Sequence, residues 1–209
     1  MKKPKILIGL PTMSSIHIML AVQIMAWIAE AYRGSDFELM VYPTVAVQPV
    51  DNARNEIVRE FLKTDCTHLL FIDSDTLPPR DAIKKLLDIN QPIVSAITPI
   101  VEIDEKTKEP WRKWNCVGMD DNHVQPNTGV VPIKGAGSSC ILIKREVFNK
   151  IPEPWYRFRY EDDNGKKQFM GQPLIISEDI HFIMQAVSRG IPAFCDTSII
   201  CGHNKSIIF

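Results

Sequence analysis

A short apolar segment that ends in two carboxylates, residues 67–75 (THLLFIDSD), constrains this chain most strongly. Leu69 to Ile72 are apolar without alternation, which predicts a strand buried on both faces, as found inside parallel sheets. Because a buried strand cannot carry charge, Asp73 and Asp75 must follow it. In open α/β sheets, the edge at the C-terminal ends of the strands is where ligands bind. The segment therefore predicts an α/β fold with a ligand site at this edge.

The spacing of the two aspartates indicates what that ligand contains. Asp73 and Asp75 repel each other unless a cation lies beside them, and their hard oxygen atoms suit Mg²⁺ or Mn²⁺. With Ser74 between them, they form a candidate metal-diphosphate site. The alternative is a solvated turn after a strand, since Asp and Ser are ordinary turn residues.

Length and composition limit the remaining possibilities. The 209 residues, of which 45% are hydrophobic, suffice for one α/β core, so we predict a single domain over 1–209. The net charge of −1 provides no general attraction to nucleic acid or to a membrane surface.

The cellular compartment is predicted from cysteine usage and from the apolar segments. The five cysteines are odd in number and include no CxxC pair, which favours a reducing compartment over a disulfide or zinc framework. No secretory signal is visible, and the longest apolar region, 16–29, is too short and too polar to span a bilayer. We therefore expect a soluble, cytoplasmic protein, in the host cytoplasm if the source is viral.

Apolar periodicity and turn residues predict alternating strands and helices along most of the chain. Residues 98–130 match no regular pattern and are predicted to be irregular. The predicted strands cover 5–10, 37–42, 69–72, 91–97, 140–144 and 193–200, and the predicted helices cover 16–32, 51–63, 78–88, 146–150 and about 178–189.

Five short motifs occur in this order along the chain: Pro11-Thr12, Ala53-Arg54-Asn55, Asp73-Ser74-Asp75, Ser177-Glu178-Asp179 and Gly202-His203. Their order and spacing resemble glycosyltransferase family 2 on the GT-A fold. The resemblance covers residues 5–203, and the short chain is similar to compact virus- and phage-type members. The resemblance implies one Rossmann-like domain with a mostly parallel central sheet flanked by helices, with a nucleotide-sugar part at about 1–97 and an acceptor and catalytic part at about 98–209.

The resemblance implies a metal set of Asp73, Asp75 and His203. Asp75 would bind the metal directly, while Asp73 would contact the ribose or a metal-bound water. An imidazole ligand suits Mn²⁺ better than Mg²⁺. Asp179, with Glu178 beside it, would be the general base that deprotonates the acceptor hydroxyl. The same two acids also suit a plain helix N-terminus.

The donor site implied by the resemblance draws on several turns. Glycines would let the backbone approach the donor sugar, although they equally suit a simple turn. Family members often place an acid after the second strand to recognise uracil, but Tyr42-Pro43-Thr44 carries none, and Asp51 could substitute for it. Arg54 could reach the diphosphate or base. The full predicted donor set is Pro11, Thr12, Asp51, Arg54, Asp73, Ser74, Gly135, Ala136 and Gly137.

The acceptor site is predicted from aromatic residues interleaved with arginines near Trp155, Tyr156 and Arg157. The aromatic rings could stack on sugars, and the arginine could meet phosphates. The same composition suits a nucleic-acid strand. A solvated strand with one buried aromatic face explains the alternation equally well.

The predicted function is transfer of a sugar from a nucleotide-diphosphate sugar to an acceptor hydroxyl, with Mn²⁺ or Mg²⁺ as cofactor. The predicted stereochemical course is inverting, with retention as the alternative. Two further alternatives are a viral glycosyltransferase acting on hydroxymethylpyrimidine bases of DNA, and a non-catalytic protein that binds nucleotide sugars or glycans. The sequence indicates no oligomeric state.

Overall fold

The computed structural model describes residues 3–103, 110–159, 168–169, 172–173 and 176–204. Strands and helices alternate through this part of the chain, as the α/β prediction required. The helices are α1 (Ile18–Tyr32), α2 (Val50–Lys63), α3 (Ala82–Ile89), α4 (Arg145–Lys150) and α5 (Glu178–Ser188). The strands are β1 (Lys5–Thr12), β2 (Glu38–Val45), β3 (His68–Ile72), β4 (Thr76–Leu77), β5 (Ile93–Ile97), β6 (Pro99–Ile103), β7 (Pro110–Trp114), β8 (Cys116–Gly118), β9 (Val130–Ala136), β10 (Cys140–Lys144), β11 (Gln168–Phe169), β12 (Gln172–Pro173), β13 (Ala193–Ile200) and β14 (Gly202–His203).

A mixed eight-stranded sheet in the order β2-β1-β3-β10-β5-β13-β9-β8 forms the centre of the fold. Strand β1 pairs in parallel with both β2 and β3, and β5 pairs in parallel with β13. Strands β10 and β9 run against their neighbours. The C-terminal ends of β1 and β3 therefore meet at one edge, beside the start of β10.

The sheet is buried on both faces, and β3 illustrates why. Leu69 and Phe71 belong to the core on the side of α2 and α5, while Leu70 and Ile72 belong to the core on the side of α1 and α3. Burying each such side chain contributes about 1.5–3 kcal/mol, so a strand without polar alternation is stable only in this position. The predicted burial of this strand on both faces is confirmed.

Several predicted element boundaries are wrong. Strand β2 continues through Pro43 to Val45, which an edge strand tolerates because the missing N–H can face outward. Helix α2 begins at Val50, one residue before its predicted start. Residues Gly135 and Ala136 end strand β9, where no strand was predicted.

The segment 98–130, predicted to be irregular, contains β6, β7 and β8. Strands β6 and β7 pair as an antiparallel hairpin, and β8 pairs with β9. These strands are short and mixed in composition, so hydrophobic periodicity does not predict them. Their formation depends on pairing with residues distant in the sequence. Residues 104–109 of this segment lie outside the described residues. Within the described part of the chain, no helix is long and apolar enough to cross a membrane.

Candidate active site

The turn that follows β3 carries both aspartates to the sheet edge. The Asp73 backbone N–H donates to the Ser139 carbonyl at 3.0 Å, and the Thr76 N–H donates to the Asp73 carbonyl at 3.0 Å. The first bond joins the turn to the loop before β10, and the second closes the turn itself. The His17 N–H donates to the Ser74 carbonyl at 2.9 Å, which joins the start of α1 to the same turn.

Arg54, on helix α2, is buried between two carboxylates. Its Nη2 lies 2.9 Å from Asp73 Oδ1, and its Nε lies 3.0 Å from Glu178 Oε1. The guanidinium also lies over the rings of Phe71 and Tyr156. Arg54 was predicted to reach the donor diphosphate or base, and this stays a prediction. Its described contacts connect the end of β3 to the start of α5.

Charge and burial oppose each other in this group. Burial lowers the pKa of Arg54, but the surrounding Asp73, Asp179 and Glu178 outweigh it and raise the pKa overall, so the guanidinium stays charged. Burial, followed by the nearby charge of Asp179, raises the pKa of Glu178 against the opposing effect of Arg54. One Arg54 atom, Nη1, has no hydrogen-bond partner among the described residues.

Asp179 lies at the N-terminal end of α5 and is held by three donors. Its Oδ1 accepts from the Ser177 hydroxyl at 2.5 Å and from the Ile180 N–H at 2.7 Å. Its Oδ2 accepts from the Ser138 N–H at 3.1 Å. Ser138 was not among the predicted site residues, although it directly follows the predicted donor residues Gly135, Ala136 and Gly137. The carboxylate is thus fixed in place while its side chain stays partly exposed.

Asp75 and His203 form a second pair at the same turn. His203 Nε2 lies 3.1 Å from Asp75 Oδ2, and His203 Nδ1 lies 2.7 Å from the Pro99 carbonyl oxygen. Because carbonyl and carboxylate oxygens only accept, Nδ1 donates to Pro99, and Nε2 donates to Asp75 whenever it carries a hydrogen. Without that hydrogen, the Nε2 lone pair is available to a cation beside Asp75. A carbonyl behind the ring is the usual support of a metal-binding histidine. Two ligands on adjacent octahedral positions at about 2.1 Å lie roughly 3 Å apart, so the pair fits a divalent cation.

The predicted trio of metal ligands is not assembled in the structure. Within the described residues, no three His, Cys, Asp or Glu side chains come together as a metal site. Asp75 and His203 meet, but Asp73 directs Oδ1 to Arg54. The physical reason is that the buried guanidinium requires a counter-charge. Two protein ligands still suit Mg²⁺ or Mn²⁺, which commonly take their remaining ligands from water and substrate phosphates.

A small cleft of about 120 Å³ lies beside the turn, between the end of β1 and the start of α2. Three residues of the predicted donor set, Pro11, Thr12 and Ser74, line it. The other lining residues were not predicted, and the only available signal was the apolar side chains beside Pro49. They are Met13, Val47, Val50 and Ala53. The lining suits a flat, mostly apolar group.

The other predicted donor residues lie in different environments. A Cβ on Gly137 would lie 3.3 Å from Asn115, which is a tight contact, and 3.6 Å from Asp179 Oδ2, which is an ordinary contact distance. Gly135 faces Ile180 inside the fold, where a Cβ would lie 3.2 Å from that side chain. Asp51 lies outside the cleft lining, and its Oδ1 accepts from the Asn52 N–H.

The predicted acceptor residues Trp155 and Tyr156 lie in the core. Trp155 donates its ring N–H to the Phe148 carbonyl at 3.0 Å, and Tyr156 stacks on Phe182 with ring centroids 4.6 Å apart. Both are buried, so neither ring face is available to a sugar or a base. The assignment of these two residues to acceptor stacking is therefore wrong, while Arg157 is exposed.

Comparison with known proteins identifies the fold. A197 from STIV superposes with a TM-score of 0.59 at 17% identity, covering 97% of this chain and 86% of that one. GalNAc-T7, solved with UDP, GalNAc and Mn²⁺, superposes with a TM-score of 0.50 at 10% identity, covering 98% of this chain. This chain spans 43% of that protein's length. Neither a protein-family model nor a curated protein sequence matches. The chain has the predicted α/β architecture of GT-A nucleotide-diphospho-sugar transferases, with helices flanking a central sheet, but this sheet is mixed and not mostly parallel as predicted.

Proposed function

We propose that this protein is a metal-dependent glycosyltransferase that uses a nucleotide-diphosphate sugar. The observation that carries the proposal is that one sheet edge brings together the Asp75–His203 pair, the small cleft and the carboxylate of Asp179. These are the three parts that such a reaction requires: a cation for the diphosphate, a pocket for the nucleobase and a base for the acceptor.

In the donor half, Pro11, Thr12 and Ser74 would contact the nucleobase and ribose, together with Val47 and Ala53. Asp75 and His203 would hold Mn²⁺ or Mg²⁺. The cation would neutralise charge that develops on the leaving diphosphate. Asp73, held by Arg54, would orient the ribose or a metal-bound water.

In the acceptor half, Asp179 would take the proton of the attacking hydroxyl. Hydrogen bonds from Ser138 and Ile180 hold its two oxygens in fixed positions, which is what a general base requires. Glu178 is bonded to Arg54 and buried, so its role is to position α5, and it does not contact the acceptor. This arrangement favours an inverting displacement.

The acceptor is a hydroxyl-bearing glycan in this proposal. Burial of Trp155 and Tyr156 removes two of the aromatic residues that favoured the nucleic-acid alternative. The GT-A neighbour GalNAc-T7 was solved with a nucleotide and a sugar, which is consistent with a donor of the same class here.

Calorimetric titration tests the donor site. UDP, GDP, CDP and dTDP are titrated with and without Mn²⁺ into wild type, Asp75→Ala and the control Asp65→Ala, an exposed carboxylate paired with Lys5. One nucleotide should bind only with Mn²⁺, and Asp75→Ala alone should abolish binding. Binding to Asp75→Ala as tight as to wild type, or no binding of any nucleotide, contradicts the site.

A turnover assay tests whether the protein is an enzyme or only a binder. Donor hydrolysis without acceptor is measured in wild type and in Asp179→Asn, which keeps the shape of the side chain. We expect the rate to fall by about 10²- to 10⁴-fold while nucleotide affinity is unchanged. Full nucleotide binding with no turnover in the wild type would identify a non-catalytic binding protein.

A further inference from the structure

Helix α1 is apolar on nearly all sides, although only one face is packed. Leu20, Ile24 and Trp27 face the core. Glu30 is the only charged residue in the helix. Helices that are apolar all round are normally buried on all sides, so the outer face of α1 requires a partner.

The outer face is an ordered stripe. Its residues follow one another at intervals of four, three, four and three, the spacing of a helix-pairing seam. The seam, as we name this set, consists of Ile18, Val22, Met25, Ala29 and Tyr32, all exposed. The seam extends over about 20 Å of helix, since the rise is 1.5 Å per residue.

The seam is almost symmetric about its middle residue. Ile18 and Tyr32 lie seven residues on either side of Met25, while Val22 and Ala29 lie three and four residues away. An antiparallel crossing at Met25 would therefore place Ile18 of one copy against Tyr32 of the other. Such self-matching is the property of an interface between identical chains related by a two-fold axis.

We propose that α1 forms the interface of a homodimer in which the seam pairs with itself, antiparallel and crossing at Met25. Together with the flanking Met19 and Ile28, the exposed α1 side chains present roughly 600 Å² of apolar surface. This approaches the ~800 Å² that each partner contributes to a standard interface. This area lies at the top of the range of about 300–600 Å² for the largest apolar patch on a typical monomer, and patches of that size are often functional.

Two other occupants fit the helix less well. Helices that lie on membranes carry Lys or Arg on their polar face, and α1 contains neither. A chemically different protein partner would use charge complementarity to select its target, and the seam carries no charge. A second copy requires neither feature.

Sedimentation velocity of the full chain tests the proposal over a concentration series up to about 100 µM. The wild type should sediment at twice the 23.8 kDa chain mass, and Met25→Glu should sediment as a monomer. Met119→Glu is the matched control, because Met119 is 55% exposed on the far side of the sheet and Met25 is 59% exposed. A monomeric wild type or a dimeric Met25→Glu overturns the proposal. If a monomeric wild type also pellets with phosphatidylglycerol vesicles, the seam binds a membrane and not a second copy.

Cross-linking gives an independent readout that does not depend on a disruptive charge. All five native cysteines are buried, so an introduced thiol is the accessible one. Oxidised Met25→Cys should form a covalent dimer, whereas Met119→Cys should not. Mixed Ile18→Cys and Tyr32→Cys chains should cross-link to each other but not to themselves. Self-cross-linking of each variant, without mixed product, overturns the antiparallel arrangement.

Discussion

Asp73 and Asp75 are one residue apart in the chain, yet they occupy different environments. The Asp73 side chain is 31% exposed and is paired with Arg54, which is 4% exposed. The Asp75 side chain is 43% exposed and faces His203. Arg54 also pairs with Glu178, so Asp73 belongs to a buried ionic group that connects β3 to α5. Asp75 belongs to a pair at the surface of the sheet edge.

This difference shows that two residues of one short motif can have different roles, one structural and one chemical. A buried charge must be compensated within the protein, and that requirement takes Asp73 out of the predicted metal trio. The Asp75 side chain is 43% exposed and that of His203 14%, so Asp75 can exchange its partner for a cation at less cost than Asp73 can. In our proposal, the first group fixes the geometry of the site, and the second binds the metal.

Removal of Arg54 should have the largest effect on this comparison. Arg54→Ala leaves Asp73 and Glu178 without their shared cation, and we expect a loss of about 3–5 kcal/mol in the free energy of unfolding. Urea denaturation measures it. Arg59→Ala on the same helix, which breaks the exposed pair with Glu153, is the control and should cost at most about 1 kcal/mol. Equal losses in the two variants would show that the buried group is not a structural connection.

Neutralising each aspartate in turn should separate the two roles. Asp73→Asn should cost about 1–3 kcal/mol in unfolding free energy, because Arg54 loses one counter-charge. Asp75→Asn should cost less than about 0.5 kcal/mol but weaken Mn²⁺ binding more than about tenfold. Paramagnetic resonance of free Mn²⁺, recorded with the nucleoside diphosphate that binds best, measures the second quantity. The opposite pattern, with Mn²⁺ loss only in Asp73→Asn, contradicts the assignment.

The smallest expected effect is on the pH dependence of the free energy of unfolding. Because burial and Asp179 raise the pKa of Glu178 above 4.5, the native state binds its proton more tightly than the unfolded state does. The contribution of Glu178 to stability is therefore greatest at or below pH 4.5, and it declines as the pH rises through the raised native pKa. Glu178→Gln should remove that decline. Unfolding free energies measured between pH 4 and pH 7 in both proteins test the sign, and an unchanged slope would contradict it.

The sequence alone determined the parts of this protein that depend on local pattern. The continuous apolar run before Asp73 could be stable only as a strand buried on both faces, so the strand, the position of the two acids after it and the α/β class could all be predicted. The start of α5 at Glu178 was also predictable, because Ser177 and two acids suit a helix N-terminus.

Only the tertiary structure decided which groups meet. Arg54 pairs with Glu178 across 124 residues, and no local pattern encodes which carboxylate a buried cation selects. Composition likewise could not show that Trp155 and Tyr156 pack into the core, because aromatic residues suit core and binding surface equally. The cleft depends on how closely the ends of β1 and α2 approach each other. These features follow from burial and long-range charge compensation, which act only once the chain has folded.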